Sequence, residues 1–408
     1  LLTCDDAQLG YNAATMLHIE RIREDIISLG HQAAQDRQAR RKALALAQVW
    51  LDEAAKADQL RAHLAPLMDA DRAAAVRWQG GIPCSPGKIT HHRPTEGVPP
   101  ADLVLIGVDG SQIYPDRHAL AVYYLLQVGA LIFRYDGNTP TVHTREWLRY
   151  DQADLYDDRG YLIDGETLGV ERMVKEMEVL ADLVEQERRS TTNPIFALSD
   201  GPLLWPYLER GSRSSTHFGA YLGALHNVQK AGGIPVGYVD RPGGQPLLDL
   251  LWAGRLAPEE LTTRIDESPL KTLSDDELMF EVLAPGAWTP WYTRATATNR
   301  RHAEDGQEIW FCYANLGTQH GPAIARIEVP SWAASQDVVM TALQAALRHQ
   351  GSVLDGYPYV LARAHEEALV TTQDKTTLEQ AIQRELFSVG LLAQPSSKAR
   401  QKLLLGQG

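Results

Sequence analysis

Two aspartates stand in matching contexts: the apolar run Leu103–Val108 leads into Asp109-Gly110-Ser111, and Ile195-Phe196-Ala197-Leu198 leads through Ser199 into Asp200-Gly201-Pro202. Read as buried strands, both runs would deliver a carboxylate to the mouth of a strand, and strand ends of one sheet converge on one edge. A glycine after each acid lets the backbone turn sharply and lets a ligand come close, which suits a carboxylate facing a metal and a phosphate. Asp-Gly is also an ordinary turn signal, so the matched pair carries more than either acid alone. A third acid is expected on the intervening helix. On its wheel, Val170, Met173, Met177, Val179, Leu180, Ala181, Leu183 and Val184 form one apolar sector with Glu176 inside it, whereas Glu171, Glu178 and Glu185 fall on the polar side. A buried carboxylate is costly unless paired or bound to metal, so Glu176 is the candidate third ligand. The alternative is a Glu176 at the edge of the stripe, reaching out to water. Two or three such carboxylates, holding divalent cations about 4 Å apart, activate a water and stabilise the leaving oxygen in an in-line attack on a phosphodiester. Oxygen ligands favour Mg²⁺ or Mn²⁺, and a nitrogen ligand would shift the preference toward Mn²⁺.

A different cluster follows near the C-terminal end, from Asp355-Gly356-Tyr357-Pro358 to Ala364-His365-Glu366-Glu367. Pro358 suits a first helical turn and puts His365 about two turns along the helix. Taken by itself, a helical histidine beside glutamates reads as a surface or capping residue.

These side chains need elements to position them. Leu103 to Val108 reads as a strand stopping at Asp109, Ala119 to Phe133 as a second strand and Thr141 to Leu148 as a third. A helix from Thr167 to Arg188 follows, then the strand Ile195 to Leu198, a helix from Thr216 to Ala231, a strand from Pro235 to Val239 and a helix from Pro246 to Ala253. Three strands, a helix, and a strand leading into further α/β units is the element order of a ribonuclease H-like core. Upstream, Tyr11 to about Ala75 is nearly free of Gly and Pro and reads as long helices, with an apolar stripe at Met16, Ile19, Ile22, Ile26 and Ile27 that needs covering. Gly80, Gly81, Pro83, Pro86, Pro94, Pro99 and Pro100 then mark a linker. The expected organisation is an N-terminal helical region over residues 1–98 and an α/β domain over residues 99–408. His91 and His92 fall in the linker, where adjacent histidines point apart and no third ligand stands near.

The whole chain is ordinary globular material: 408 residues, 44% hydrophobic and 22% charged, enough for one or two sizeable cores. Its three cysteines, Cys4, Cys84 and Cys312, show neither zinc spacing nor a disulfide framework. No apolar run reaches the roughly 18 residues of a membrane helix, and the opening residues lack a signal-peptide layout, so a cytoplasmic protein is expected. A net charge of −13 excludes a broad basic face for nucleic acid, so any such site must be local and walled in. Arg294, Arg300 and Arg301, near Trp288, Trp291 and Tyr292, offer cations and stacking surfaces for a DNA path. The same aromatics, flanked by Pro285 and Pro290, read equally as core or subunit contacts.

The strand-borne VDGS, the later LSDGPL, GIPVGYVDRP and GYPYVLARAH, spread over residues 104–365, resemble in order and context the motifs of the NurA family of nucleases. The resemblance implies a ribonuclease H-like fold, a Mn²⁺-dependent nuclease acting on DNA, a ring-shaped homodimer, and a HerA-type hexameric ATPase as partner in DNA end processing, repair or antiviral defence against foreign DNA. Two metal ions, with Mg²⁺ as the alternative metal, belong to the same expectation. Carried over, Asp109 matches the first acid, Asp200 the later acid, His365 the histidine of the C-terminal motif and Tyr357 its tyrosine, where it would orient a phosphate or the attacking water. Glu176 matches by position and helix geometry only. Where a basic residue is expected in the strand motif this chain has Asp240, leaving Arg241 to supply the phosphate contact. The sequence also holds no Gly-x-x-x-x-Gly-Lys-Ser/Thr loop, so translocation along DNA would have to come from a partner. Two rival readings use the same residues: a metal-dependent phosphatase on small esters, and a non-catalytic assembly adaptor.

Overall fold

The computed structural model describes residues 19–68, 78–89, 93–94, 97–157, 159–205, 212–318 and 321–391. Met16, Cys4 and the His91-His92 pair lie outside them. Among the described residues eleven strands share one mixed sheet. They are β1 (Gly81–Pro83), β2 (Arg93–Pro94), β3 (Val104–Ile113), β4 (Tyr124–Arg134), β5 (Thr141–Arg149), β6 (Ile195–Asp200), β7 (Gly233–Asp240), β8 (Ala287–Trp288), β9 (Tyr292–Arg294), β10 (Ile309–Asn315) and β11 (Ile324–Pro330). The main path runs β1-β9-β10-β11-β7-β6-β3-β4-β5, with β8 paired to β10 and β2 to β8.

Strands β3, β4 and β5 form an antiparallel meander, while β6 and β7 add to β3 in parallel. Parallel strands need a crossover, and the helices Gly165–Arg188 and Ser212–Lys230 supply it while covering one face. Burial on both faces is why β3, β6 and β7 read as continuous apolar runs. The long helix starts where Asp164 accepts a hydrogen bond from the Thr167 amide at 2.8 Å, an N-cap. The opposite face is covered by the helix Tyr359–Ala368, which packs on β3 and β4, and by the helix Asp337–Val353 beside it.

Several expected boundaries shift. β3 does not stop at Asp109 but continues to Ile113, because β4 pairs with it from end to end, Asp109 opposite Gly129 and Ile113 opposite Leu125. The second strand starts at Tyr124 instead of Ala119. The sheet also extends well past residue 253, through β8 to β11, where no strand was anticipated. At that far side, the N-terminal helices Arg23–Asp52 and Ala57–Met68 bury Leu51, Leu60 and Leu64 in one core with Leu250, Leu278, Tyr292 and Phe311. β1 itself pairs with β9. The change of composition near residue 98 is therefore not a break in packing. The first turns of the long N-terminal helix leave Ile26, Ile27 and Leu29 exposed, following an exposed Ile22.

Candidate metal centre

Sheet register brings the two aspartates together. β3 and β6 run parallel with Val108 opposite Ser199, and one step further each chain reaches its acid, Asp109 and Asp200. Alternation along β3 then assigns faces. A Cβ at Gly107 would meet the Val360 carbonyl at 2.8 Å, so positions 107 and 109 face the Tyr359–Ala368 helix. A Cβ at Gly110 would instead lie 2.5 Å from Glu176 Oε1 and 2.8 Å from Arg172 Cγ, so position 110 faces the Gly165–Arg188 helix. The glycine after Asp109 is thus the opening through which Glu176 reaches the strand. Across the ladder from Asp109, Gly129 lets the other helix close in, since a Cβ there would sit 2.3 Å from the Ala368 amide nitrogen.

That close approach places His365 over Asp109, with Nδ1 2.6 Å from Oδ2. Ser111 Oγ and Gln127 Nε2 donate to the carbonyls of Ala368 and Glu367, fastening the end of the same helix to β3 and β4. Tyr357, just before the helix, donates its hydroxyl to Asp200 Oδ2 at 2.7 Å. The four residues expected at the site beside Asp109 are therefore all at this edge of the sheet: Glu176 from below, Asp200 alongside, Tyr357 and His365 from above.

Glu176 is only 5% exposed. Its Oε1 lies 3.3 Å from Arg172 Nε, yet neither atom makes a hydrogen bond. Burial pushes this carboxyl up to about 8, with Asp109 and Asp200 adding to the rise and Arg172 opposing it. Asp200 is raised as well, first by burial and then by Asp109, while the Tyr357 hydrogen bond holds it down. The Tyr357 phenol is driven far up by burial and by Asp200, so it stays a neutral donor. Among the described residues no three His, Cys, Asp or Glu side chains already converge at ligand spacing; Asp109 is held by His365 and Asp200 by Tyr357. The donor set nevertheless fits a divalent cation: three hard carboxylates, one imidazole, and a buried carboxylate oxygen that makes no hydrogen bond.

The basic residues divide. Arg241 follows β7 directly, is exposed, and sits in the left-handed backbone region at φ 42. It lines a cleft of about 540 Å³ together with Asp240, Phe280, Asp355 and Tyr357, so it does stand beside the site. Arg294 belongs to β9, separated from β3 by four intervening strands in the sheet. Its guanidinium packs 5.1 Å from the Phe311 ring centre, and burial, with Arg326 adding, lowers its pKa. Arg301 stacks 4.7 Å over Phe218, and Arg300 donates to the Ala295 carbonyl. Trp288 and Tyr292 are core residues. Arg294, Arg300 and Arg301, the residues expected on a DNA path, thus each contact their own fold, and they are not gathered with the acids.

Two neighbours of the site were not anticipated. Arg172 Nη1 donates to the Gly110 carbonyl at 2.7 Å, and its place four residues before Glu176 was a usable signal. Tyr238 packs edge-on against Tyr357, with ring centres 5.4 Å apart, and donates to the Gly356 carbonyl. An aromatic within a buried strand gave no sign of that.

No curated protein matches the chain. The crystal structure of the NurA nuclease from Sulfolobus solfataricus superposes with a TM-score of 0.51 at 8% identity, covering 91% of this chain and 98% of that one. A crystal structure of NurA with manganese is 12% identical, with a TM-score of 0.36 over 71% of this chain and 91% of that one. Identities this low speak to the fold alone. The NurA domain model matches residues 103–370, a stretch that holds Asp109, Glu176, Asp200, Tyr357 and His365, and the chain belongs to the NurA family.

Proposed function

We propose that this protein is a divalent-metal-dependent nuclease that hydrolyses phosphodiester bonds in DNA, with Asp109, Glu176, Asp200 and His365 as the metal-holding set. One observation carries the reading: two aspartates adjacent across parallel strands, with the buried Glu176 carboxylate beneath them, its Oε1 ion-paired to Arg172 but making no hydrogen bond. The order β5-β4-β3-β6-β7, a meander followed by two parallel strands, supports a ribonuclease H-like core. Nuclease and manganese both appear in the descriptions of structures similar to this chain.

A cation bound here supplies Lewis-acid activation of water and neutralises charge on the phosphate, and a second ion would do the same for the leaving oxygen. The chain's own groups prepare that chemistry. Tyr357, neutral and donating, fixes the orientation of Asp200. His365 fixes Asp109, and as an imidazole it favours Mn²⁺ over Mg²⁺ if it joins the ligands. Arg172 holds the Gly110 backbone in place above Glu176. Arg241, which lines the cleft together with Tyr357, is a candidate contact for a phosphate.

The reading extends to a homodimer fed by a HerA-type hexameric ATPase in DNA end processing or defence. A net charge of −13 and the lack of a phosphate-loop motif in the sequence support that dependence, because unaided capture of DNA would be weak. Asp109→Asn and Asp200→Asn should each reduce Mn²⁺-dependent DNA cleavage by about a hundredfold or more while the protein stays folded. Cleavage within a few-fold of wild type in either variant would remove the metal-site reading. In the same assay, duplex cleavage that does not rise with a HerA-type ATPase and ATP would remove the partner.

A further inference from the structure

The Asp200 turn is clamped by a buried ion pair that does not bond to the acids. After Asp200 the chain passes through Gly201, at φ 149, to Leu204. Gly201 donates its amide to the Tyr238 carbonyl at 2.8 Å, and Tyr221 donates its hydroxyl to the Leu203 carbonyl at 2.8 Å. Gly237 has no room for a side chain, because a Cβ would meet the Gly201 carbonyl and the Leu203 amide, each at 2.8 Å. The remaining hold comes from β11. Glu328, 2% exposed, accepts the Leu204 amide on Oε2 at 3.0 Å and Arg326 Nε on Oε1 at 2.8 Å.

A buried ion pair is a poor way to gain stability, since desolvation takes back most of the attraction and well-packed apolar residues often do as well. β11 is otherwise apolar in the relevant stretch, with Ile324, Ala325, Ile327 and Val329 all buried. Glu328 faces Gly237 across the β7–β11 ladder, the same glycine against which the Asp200 turn is pressed. We propose that Glu328 is a positioning residue: held by Arg326, it fixes the Leu204 amide and thereby the Asp200 carboxylate in its place for the metal. The inference rests on the metal-site reading above and goes beyond it, because Glu328 lies outside the metal-holding set.

A matched control exists at the opposite end of the sheet. Arg134 and the buried Glu187 form a second, partly buried pair, with Arg134 Nη2 2.6 Å from Glu187 Oε1, and neither side chain bonds to Asp109, Glu176 or Asp200. The experiment measures Mn²⁺ affinity directly by calorimetry, alongside thermal stability and the Mn²⁺ dependence of DNA cleavage. The double substitution Arg326→Met with Glu328→Leu removes both charges together, so the fold should keep a near-wild-type melting temperature. Its Mn²⁺ affinity should nevertheless fall by about tenfold, as for other outer-shell supports of metal ligands. Glu328→Gln keeps an acceptor for Leu204 and should stay within about threefold of wild-type affinity, which makes it the conservative rescue. Arg134→Met with Glu187→Leu should leave Mn²⁺ affinity unchanged. If the Arg326 and Glu328 double variant does not fold, Glu328→Leu alone is set against Glu328→Gln: weaker affinity only in the leucine variant supports the proposal. Wild-type affinity in the leucine variants, or equal loss in Gln and Leu, overturns it and leaves the metal site standing. A wild-type protein that binds no Mn²⁺ overturns both.

Discussion

At Glu176 two pressures meet: burial disfavours its charge, and a bound cation would require that charge. The folded carboxyl is pushed up to about 8 from an ordinary 4.5, so between those values the folded protein keeps a proton that the unfolded chain has released. Stability from this group is therefore fully present below about 4.5 and is lost as pH rises toward 8. Mn²⁺ must displace the same proton, so its affinity should climb through that window and level off above it. Glu176→Gln should abolish cleavage and melt at least as high as wild type at pH 8. Glu178→Gln, which alters only a half-buried pair with Lys175, should change neither, and Glu171→Gln should leave cleavage intact because Glu171 is engaged with the Tyr124 hydroxyl. Activity profiles and melting curves from pH 5 to 9 decide this; an active Glu176→Gln, or an inactive Glu178→Gln, would show that the wrong face of the helix had been chosen. Helix phase was readable here because an apolar sector with one acid inside it has few physical explanations. Arg294 was not readable, since an arginine among aromatics looks the same in sequence whether it faces DNA or Phe311.

Among the elements, the Tyr359–Ala368 helix does most to shape the site, and glycines are what admit it. Gly107 and Gly129 have no side chain because the helix backbone lies against both strands. The sequence invited a different interpretation: in VDGSQ, the Asp-Gly-Ser string looks like a turn, and so β3 appeared to end at Asp109. Its glycines in fact mark close approach on two faces of one continuous strand. The same distinction explains what could be read of the fold. Long apolar runs and helical periodicity announced β3, β6, β7 and the helices Gly165–Arg188 and Pro246–Ala253. β1, β8 and β9 are two or three residues long and exist through their partners, so no local pattern could declare them. Gly129→Val tests the contact. Its Cβ would fall 2.6 Å from the Ala364 carbonyl as well as 2.3 Å from the Ala368 amide, forcing the helix and His365 away from Asp109. Denaturant titration should show a loss of about 1–3 kcal/mol, the range for overpacking, together with lost cleavage. Unchanged stability and activity would mean that the helix does not depend on that glycine.

For the whole molecule, the sheet runs without a break from the meander at β5 to β1 and β9, where the N-terminal helices join its core. The site sits at the junction of β3 and β6, covered by helices on both faces, on a chain whose net charge is −13. Such a molecule favours cations at its acid cluster and repels loose phosphate elsewhere, so in the proposed nuclease recognition of DNA would fall to a metal held there and to whatever delivers the strand. Everything functional in this account depends on where that metal binds. Crystals soaked in Mn²⁺ and measured at the manganese absorption edge locate it directly by anomalous scattering. The account predicts one or two peaks within bonding distance of Asp109, Glu176 and Asp200, absent in Asp109→Asn crystals. Peaks only elsewhere, such as among the acids of the Arg241 cleft, or DNA cleavage in Mn²⁺ with no ion at these three carboxylates, would contradict it.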